Sequence, residues 1–489
     1  MDPVTRRLRI LTLSDDFTLL VAPVDLSSAI DVAERLADLP GFAFLDSALA
    51  LPRLGRFSYV AADPFGRFVV KAGRGFWNGV ACTAPVLSSL RLLLHTYALA
   101  KQPDLPPFQT GAIGYFAYDF APHLDAAAQV VPGSGLEADF GFYDCVVAID
   151  HEKGRSWLIA SGLPETDPGR RRARAEQRLT AFQARLEGPL VRREGPNPGQ
   201  GSPDWRPRWG RKDYVAAVER VKAHILAGDL YQANITQSFA ASLPSGFDPW
   251  GFYKNLRGRN PAPYAGYLVA DCHGLEDSCH VIASSSPEVF LTLTDGNVET
   301  RPIKGTRRRS NEGAEDALAR AALVRSVKDR AENVMIVDLL RNDLAKVCQP
   351  ASVVVPELCT VETYAGLHHL VSSITGQLRT EYDGLDLVAA CFPGGSITGA
   401  PKLKAMEIIA DIERESRGPY CGSMGFLAFN GDMALNIAIR TILFTGSNGS
   451  LREARVHAGG GITLLSDPLA EYAESLVKLE RIFSAEGSA

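Results

Sequence analysis

Strand-like apolar runs of five to eight residues come in clusters along this chain, with helical stretches between clusters rather than between single strands. That pattern favours an α+β fold over a doubly wound parallel sheet, in which strand and helix alternate. Val69-Val70-Lys71 and Cys145-Val146-Val147-Ala148-Ile149 predict strands in the first half, and a helix is expected near 28–36. In the second half strands are predicted over 289–293, 425–429, 434–444 and 455–458, and helices over 212–227, 316–347, 401–416 and 468–483. No G-x-G-x-x-G follows a strand, so a dinucleotide-binding domain has no support. No internal repeat and no low-complexity tract is present.

Proline and glycine crowd the stretch 188–210, which reads as a linker or long loop. It divides the chain into an N-terminal part, 1–190, a linker, 191–210, and a C-terminal part, 211–485. By length alone, 489 residues would accommodate about three domains. The charge balance, 51 Lys and Arg against 56 Asp and Glu, is slightly acidic and argues against a nucleic-acid partner. No apolar run approaches the roughly 18 residues that a membrane span needs. The start, Met1 to Arg7, leads into strand-like alternation without a signal peptide's apolar region and cleavage site. The expectation is a cytoplasmic protein with no membrane partner.

The eight cysteines form no C-x-x-C pair, and their spacing fits neither a zinc site nor a disulfide framework. Cys272-His273 and Cys279-His280 are read as structural rather than catalytic, and no cysteine sits in a G-x-C-x-G elbow. The final helix is more informative. Ser466-Asp467-Pro468 supplies a cap and a first-turn proline. Tyr472, Leu476, Leu479 and Phe483 then form a buried stripe, while Glu471, Glu474 and Lys478 share roughly the opposite face. Asp329 and Glu332 offer a second carboxylate pair at the same i, i+3 spacing. By spacing, ordinary salt bridges explain both pairs: Glu474 with Lys478, and the second pair with Arg325 or Arg330. The alternative is a shared divalent cation held through oxygen ligands.

The run from Gly394 to Lys402 resembles a phosphate loop, but Ala400-Pro401 stands where that loop needs Lys followed by Ser or Thr. A glycine-rich turn into a helix remains, and Ala458-Gly459-Gly460-Gly461-Ile462 is a second place where backbone could approach an anion closely; the alternative for both is a plain tight turn. Arg301 to Arg309 is a basic cluster without the interleaved aromatics of a nucleic-acid patch. Lys304 within it could instead be a pocketed amine nucleophile, its pKa lowered by neighbouring cations.

Together these segments resemble the chorismate-utilising enzymes: anthranilate synthase large subunits, aminodeoxychorismate synthases, and isochorismate and salicylate synthases. The carrying residues are Leu230 to Asn234, Ser286-Pro287-Glu288, Pro302-Ile303-Lys304-Gly305-Thr306, and Asp329-Arg330-Ala331-Glu332-Asn333. They continue through Met335 to Asp343, His368-His369-Leu370, the Gly394 to Lys402 turn, and Ala458 to Ile462 with Glu471 and Glu474. The match runs from about Arg211 to Phe483, with a weaker one in the first half at Phe108 to Tyr115. The resemblance implies a four-layer α/β/β/α sandwich with two packed, antiparallel-rich sheets.

One position separates the branches of the family. Anthranilate synthases read Pro-Ile-Ala-Gly-Thr, whereas aminodeoxychorismate synthases read Pro-Ile-Lys-Gly-Thr, as at Lys304. The resemblance therefore implies a transferase of the 4-aminobenzoate branch of folate synthesis, with anthranilate synthase as the alternative and a non-catalytic amino-acid sensor as a remote one. Gln232 stands where the isochorismate and salicylate synthases place a water-activating lysine, which argues against water as the nucleophile. By the same resemblance Lys304 is the covalent nucleophile and Glu288 the general acid, which should have a raised pKa. Glu332 and Glu474 would hold Mg²⁺, with Asp329 and Glu471 acting through its waters. His369, Ser396, Tyr420, Arg440, Gly459, Gly461 and Lys478 match substrate-binding positions. Ammonia would come from a separate glutamine amidotransferase subunit, since this chain lacks that enzyme's cysteine elbow. Ser47, Arg56, Phe57, Pro263 and Tyr264 resemble a tryptophan pocket found in some members.

Overall fold

The computed structural model describes residues 19–25, 28–49, 54–133, 135–189, 203–271, 278–310, 312–364, 366–447 and 450–483. The strand-like chain start, Cys272-His273 and most of the linker lie outside them. The described part of the linker is tied down. Trp205 stacks on Phe483 with ring centres 5.3 Å apart, and Arg206–Pro207 pairs with the strand Gln232–Ser242.

Two 12-stranded sheets make the frame, and the strand pairings within them are antiparallel. Both sheets run across the division at the linker. In the first, Ala43–Asp46 pairs with Tyr264–Asp271; in the second, Gly111–Phe116 pairs with Ser423–Ala428. The length-based expectation of three domains is thus replaced by two chain halves that share both sheets.

The strand Cys145–Asp150 explains why so many strands read as unbroken apolar runs. Val146 and Ala148 face the other sheet, in a core with Tyr115, Ile282, Met424 and Phe426. Cys145, Val147 and Ile149 point the opposite way, against the helices Ala29–Leu36, Pro168–Glu187 and Pro249–Arg259. A further helical layer, including Val86–Thr96, Val327–Ala345 and Gly384–Cys391, covers the outer face of the second sheet. With helices on both outer faces the order is α/β/β/α, and an α+β fold in four layers is what the chain adopts. Among the described residues, no helix is long and apolar enough to cross a membrane.

Three predicted elements differ from what forms, and each difference shapes the site. The helix expected over 316–347 is two helices, Gly313–Arg325 and Val327–Ala345. Ser326 breaks it, because its hydroxyl accepts from the Asp329 N–H at 3.2 Å and caps the second helix. Asp329 and Glu332 therefore stand in that helix's first two turns. The strand expected over 434–444 is also two, Met433–Asn436 in the second sheet and Thr441–Ser447 in the first. Its apolar pattern continues because the crossover segment is itself buried at Ile437 and Ala438. Finally, Gly459 to Gly461 is not a turn. It lies inside the strand Ser450–Ile462, paired with Gln232–Ser242.

Candidate active site

Segments spread from Asn234 to Leu479 line one cavity of about 430 Å³. Its floor is the pair of strands carrying Gly459 to Gly461. A side chain at Gly459 would run into the Ile235 carbonyl, and one at Gly461 into the Gln232 amide. A Cβ on Gly460 would stand 3.2 Å from Glu471 Oε2 and one on Gly461 3.4 Å from Lys304 Nζ. The glycines therefore serve close approach between strand, lysine and final helix rather than chain reversal.

Lys304 sits on the strand Ile303–Arg308, at a β-bulge between Lys304 and Thr306 where the register with Leu367–Gln377 shifts. A bulge re-aims the side chains beside it. Gly305 takes the positive φ of +72° there, and a Cβ on it would meet Asp329 at 2.9 Å. Glycine thus sets how near the Asp329 helix comes to the lysine. Lys304 Nζ donates to the Ser396 carbonyl at 3.0 Å. Burial lowers its pKa, with Glu332 and Glu288 opposing and Lys478 reinforcing the shift. Desolvation, more than the crowding of cations expected from the sequence, is the principal cause.

Glu288 is buried among the same groups. Its carboxylate accepts from the Ile303 N–H at 3.4 Å and is hydrogen-bonded by the Ser396 side chain. Burial nevertheless raises its pKa to about 7, against the lowering influence of Ser396 and Lys304. A carboxylic acid and an amine thus share one cavity, each pushed towards its neutral form by loss of water.

The carboxylates at 329, 332, 471 and 474 all line this cavity, and each has a cation near it. Arg307 is 2.9 Å from Asp329, Lys328 3.0 Å from Glu471 and 3.9 Å from Glu332, and Lys478 2.8 Å from Glu474. The partners of Asp329 and Glu332 are therefore Arg307 and Lys328 rather than Arg325 or Arg330, while the Glu474–Lys478 pair forms as the spacing predicts. Lys328 was legible only as an i, i+4 neighbour of Glu332, and its reach to Glu471 depends on the approach of two distant helices.

Among the described residues no three or more His, Cys, Asp or Glu side chains are drawn together as a metal cage. The donor chemistry still fits a hard divalent cation: all four are carboxylates, and Glu332 Oε1 is buried without a hydrogen-bond partner.

The predicted substrate positions complete the wall. His369 is buried and held neutral, its pKa pushed down to about 3 chiefly by burial and then by Arg440; its Nδ1 meets the Thr306 hydroxyl at 3.0 Å. Arg440 comes from the crossover between the sheets, where it takes a positive φ of +52°. Tyr420 stacks on His457 with centroids 5.1 Å apart, and Lys478 Nζ donates to the Gly459 carbonyl at 2.9 Å. Sequence reasoning passed over His457, which carries no spacing signal of its own, and Lys328, whose only signal is its spacing from Glu332; Thr306 was quoted in its motif without a role of its own.

The five candidate tryptophan positions also converge, in a separate cavity of about 320 Å³ between the sheets. Ser47 donates its hydroxyl to the Phe57 carbonyl at 2.6 Å. Arg56 holds Asp150 through two bonds, at 3.1 and 2.7 Å. Asp46, beside them, is engaged by Arg257 and Tyr253.

Fold and cavity together bring a buried amine, a buried carboxylic acid, four further carboxylates and several cations into one site. The chain belongs to the family described as chorismate binding enzyme, whose model matches residues 48–484, and it is a chorismate-utilising enzyme. It is 37% identical to aminodeoxychorismate synthase component 1 of Salmonella typhimurium, covering 91% of this chain and 92% of that one. It is 36% identical to anthranilate synthase component 1 of Thermus thermophilus, over 94% and 96% of the two chains. The crystal structure of anthranilate synthase component I from Streptococcus pneumoniae superposes with a TM-score of 0.74 at 28% identity, covering 89% of this chain and 93% of that one.

Proposed function

We propose that this chain aminates chorismate at C4 to give 4-amino-4-deoxychorismate, the step that leads to 4-aminobenzoate and folate. Relatives named aminodeoxychorismate synthase component 1 and anthranilate synthase component 1 stand within one percentage point of identity, so overall similarity does not separate them. The observation that carries the reading is Lys304, whose amine reaches into the cavity with its pKa lowered by burial.

In this reaction Arg440, Lys478, Tyr420 and the Gly459 to Gly461 backbone bind the two carboxylates of chorismate, and His369 and Ser396 fix the ring. Lys304 Nζ forms a bond to C2 as the C4–O bond breaks. Glu288 gives its proton to that oxygen, which leaves as water. Ammonia then forms the C4–N bond, and the C2–Nζ bond breaks to return the lysine. Glu332 and Glu474, with Asp329 and Glu471 through water, would hold Mg²⁺, which supplies Lewis-acid polarisation of the ring carboxylate when bound.

A glutamine amidotransferase subunit supplies the ammonia in this reading, consistent with relatives named as a component 1. We place the chain in the cytoplasm; its seven described cysteines are all free, which suits a reducing compartment. Incubation with chorismate, Mg²⁺ and an ammonium salt tests the function directly. The expected product is the C4-aminated isomer, released without glutamine or a second protein. Formation of the ortho isomer or of anthranilate would instead assign the chain to the anthranilate synthase branch.

Tryptophan is the proposed occupant of the second cavity, because Ser47, Arg56, Phe57, Pro263 and Tyr264 meet there. Titration calorimetry should register one tryptophan per chain, with binding lost in Ser47→Phe. A titration without heat at any accessible temperature would remove this occupant.

A further inference from the structure

Directly behind the chorismate cavity lies another of about 430 Å³, set between the two sheets. Tyr115 of one sheet and Leu443 and Thr445 of the other line it. Tyr420 and His457 line both cavities. Their rings are stacked 5.1 Å apart and inclined by only 15°, so a wall made in part of one ring pair separates the two spaces. The rear cavity reaches the surface at Glu453 and Arg455, whose side chains are 44% and 40% exposed.

The chemistry of this wall is unusual for a structural partition. His457 is buried, and its Nε2 has no hydrogen-bond partner. An orphaned buried nitrogen costs stability that a purely structural contact would avoid. Burial, reinforced by Arg417, Arg455 and Arg208, keeps the imidazole neutral. Arg417, Arg455 and Lys71 line the rear cavity together with Asp119 and Glu453, and Arg455 is paired with Glu453 at 2.9 Å, so the lining is polar and of mixed charge and can hydrogen-bond a small neutral molecule.

We propose that ammonia reaches bound chorismate through this rear cavity, passing the Tyr420–His457 wall, and that the surface around Glu453 and Arg455 is where it enters. The proposal rests on the amination reading above. A rear path would let a second substrate reach the ring while chorismate occupies the front cavity. The unpartnered His457 nitrogen offers ammonia a hydrogen-bonding station on the way.

Leu443 and Thr445 point into the rear cavity, since Ile442 and Phe444 of the same strand pack in the core on its other face. Thr445→Trp and Leu443→Trp therefore fill the route without touching the front cavity. With ammonium salts as nitrogen source, the KM for ammonia should rise tenfold or more in at least one variant. The KM for chorismate and the kcat at saturating ammonia should stay within twofold of the unaltered chain. An ammonia KM within twofold in both variants overturns the route, and so does a parallel rise of both constants in both. If the unaltered chain gives no C4-aminated product from chorismate and ammonium, the amination reading has failed, and the route fails with it for that separate reason.

Discussion

Lys304→Ala should abolish amination at C4, lowering formation of the para isomer on the order of 10⁴-fold, the scale on which turnover falls when covalent machinery loses a member. The cavity remains open in this variant, and the carboxylates and Arg440 still line it, so chorismate should bind with little change in affinity. What disappears is the amine that forms the bond to C2. Free ammonia can then attack C2 itself, and the ortho isomer should replace the para one. Intact-protein mass spectrometry should detect a chorismate-derived adduct on the unaltered chain, trapped without ammonia, and none on the variant. Undiminished C4 amination together with a persisting adduct would exclude the covalent role of Lys304.

Glu288→Gln should lower kcat by about 10²- to 10⁴-fold, the usual contribution of a positioned acid, while leaving the fold at least as stable at alkaline pH. The sign follows from the proton. Burial raises the folded-state pKa to about 7 from an ordinary value of 4.5. Between those values the folded chain holds a proton that the unfolded chain has released. Glu288 therefore makes the fold less stable as pH rises through that window, with the loss complete above about 7. Glutamine cannot ionise and removes that penalty, so thermal melts at pH 8 should place the variant at or above the unaltered chain. Activity of the unaltered enzyme should decline above about pH 7 as Glu288 loses its proton. A kcat that falls with no alkaline limb near 7 would move the acid role to another group.

Much of the chemistry was legible because it rests on residue identity within short motifs. Lys304 stands between Ile303 and Gly305, and the proposed C4 chemistry rests on the identity of that one residue. The final helix was readable at its ends, since Ser466-Asp467-Pro468 is a local signal, but not in its buried stripe: Leu476 is exposed, and Leu479 is buried with Ile482, Glu471 and Ser475. The breaks were not legible either. Ser326 could be taken for an ordinary mid-helix serine until Asp329 was seen to donate to it. The sheet change before Thr441 left no mark on hydrophobicity, because the chain is buried on both sides of it.

The sequence by itself determined the α+β class and the spacing that sets Glu471, Glu474 and Lys478 near one another on the final helix, because periodicity over a few residues leaves backbone geometry little choice. The four layers and the parts expected of Lys304 and Glu288 were read from the resemblance to the family. Only the tertiary structure decided that Glu332 and Glu474 share a cavity, that Arg307 and Lys328 neutralise the carboxylates there, and that Tyr420 and His457 stand between two spaces. Each of those depends on which surfaces of distant segments meet across the two sheets. Water is excluded by the packed whole, and it is that exclusion, which no single segment carries, that lowers the pKa of Lys304 and raises that of Glu288.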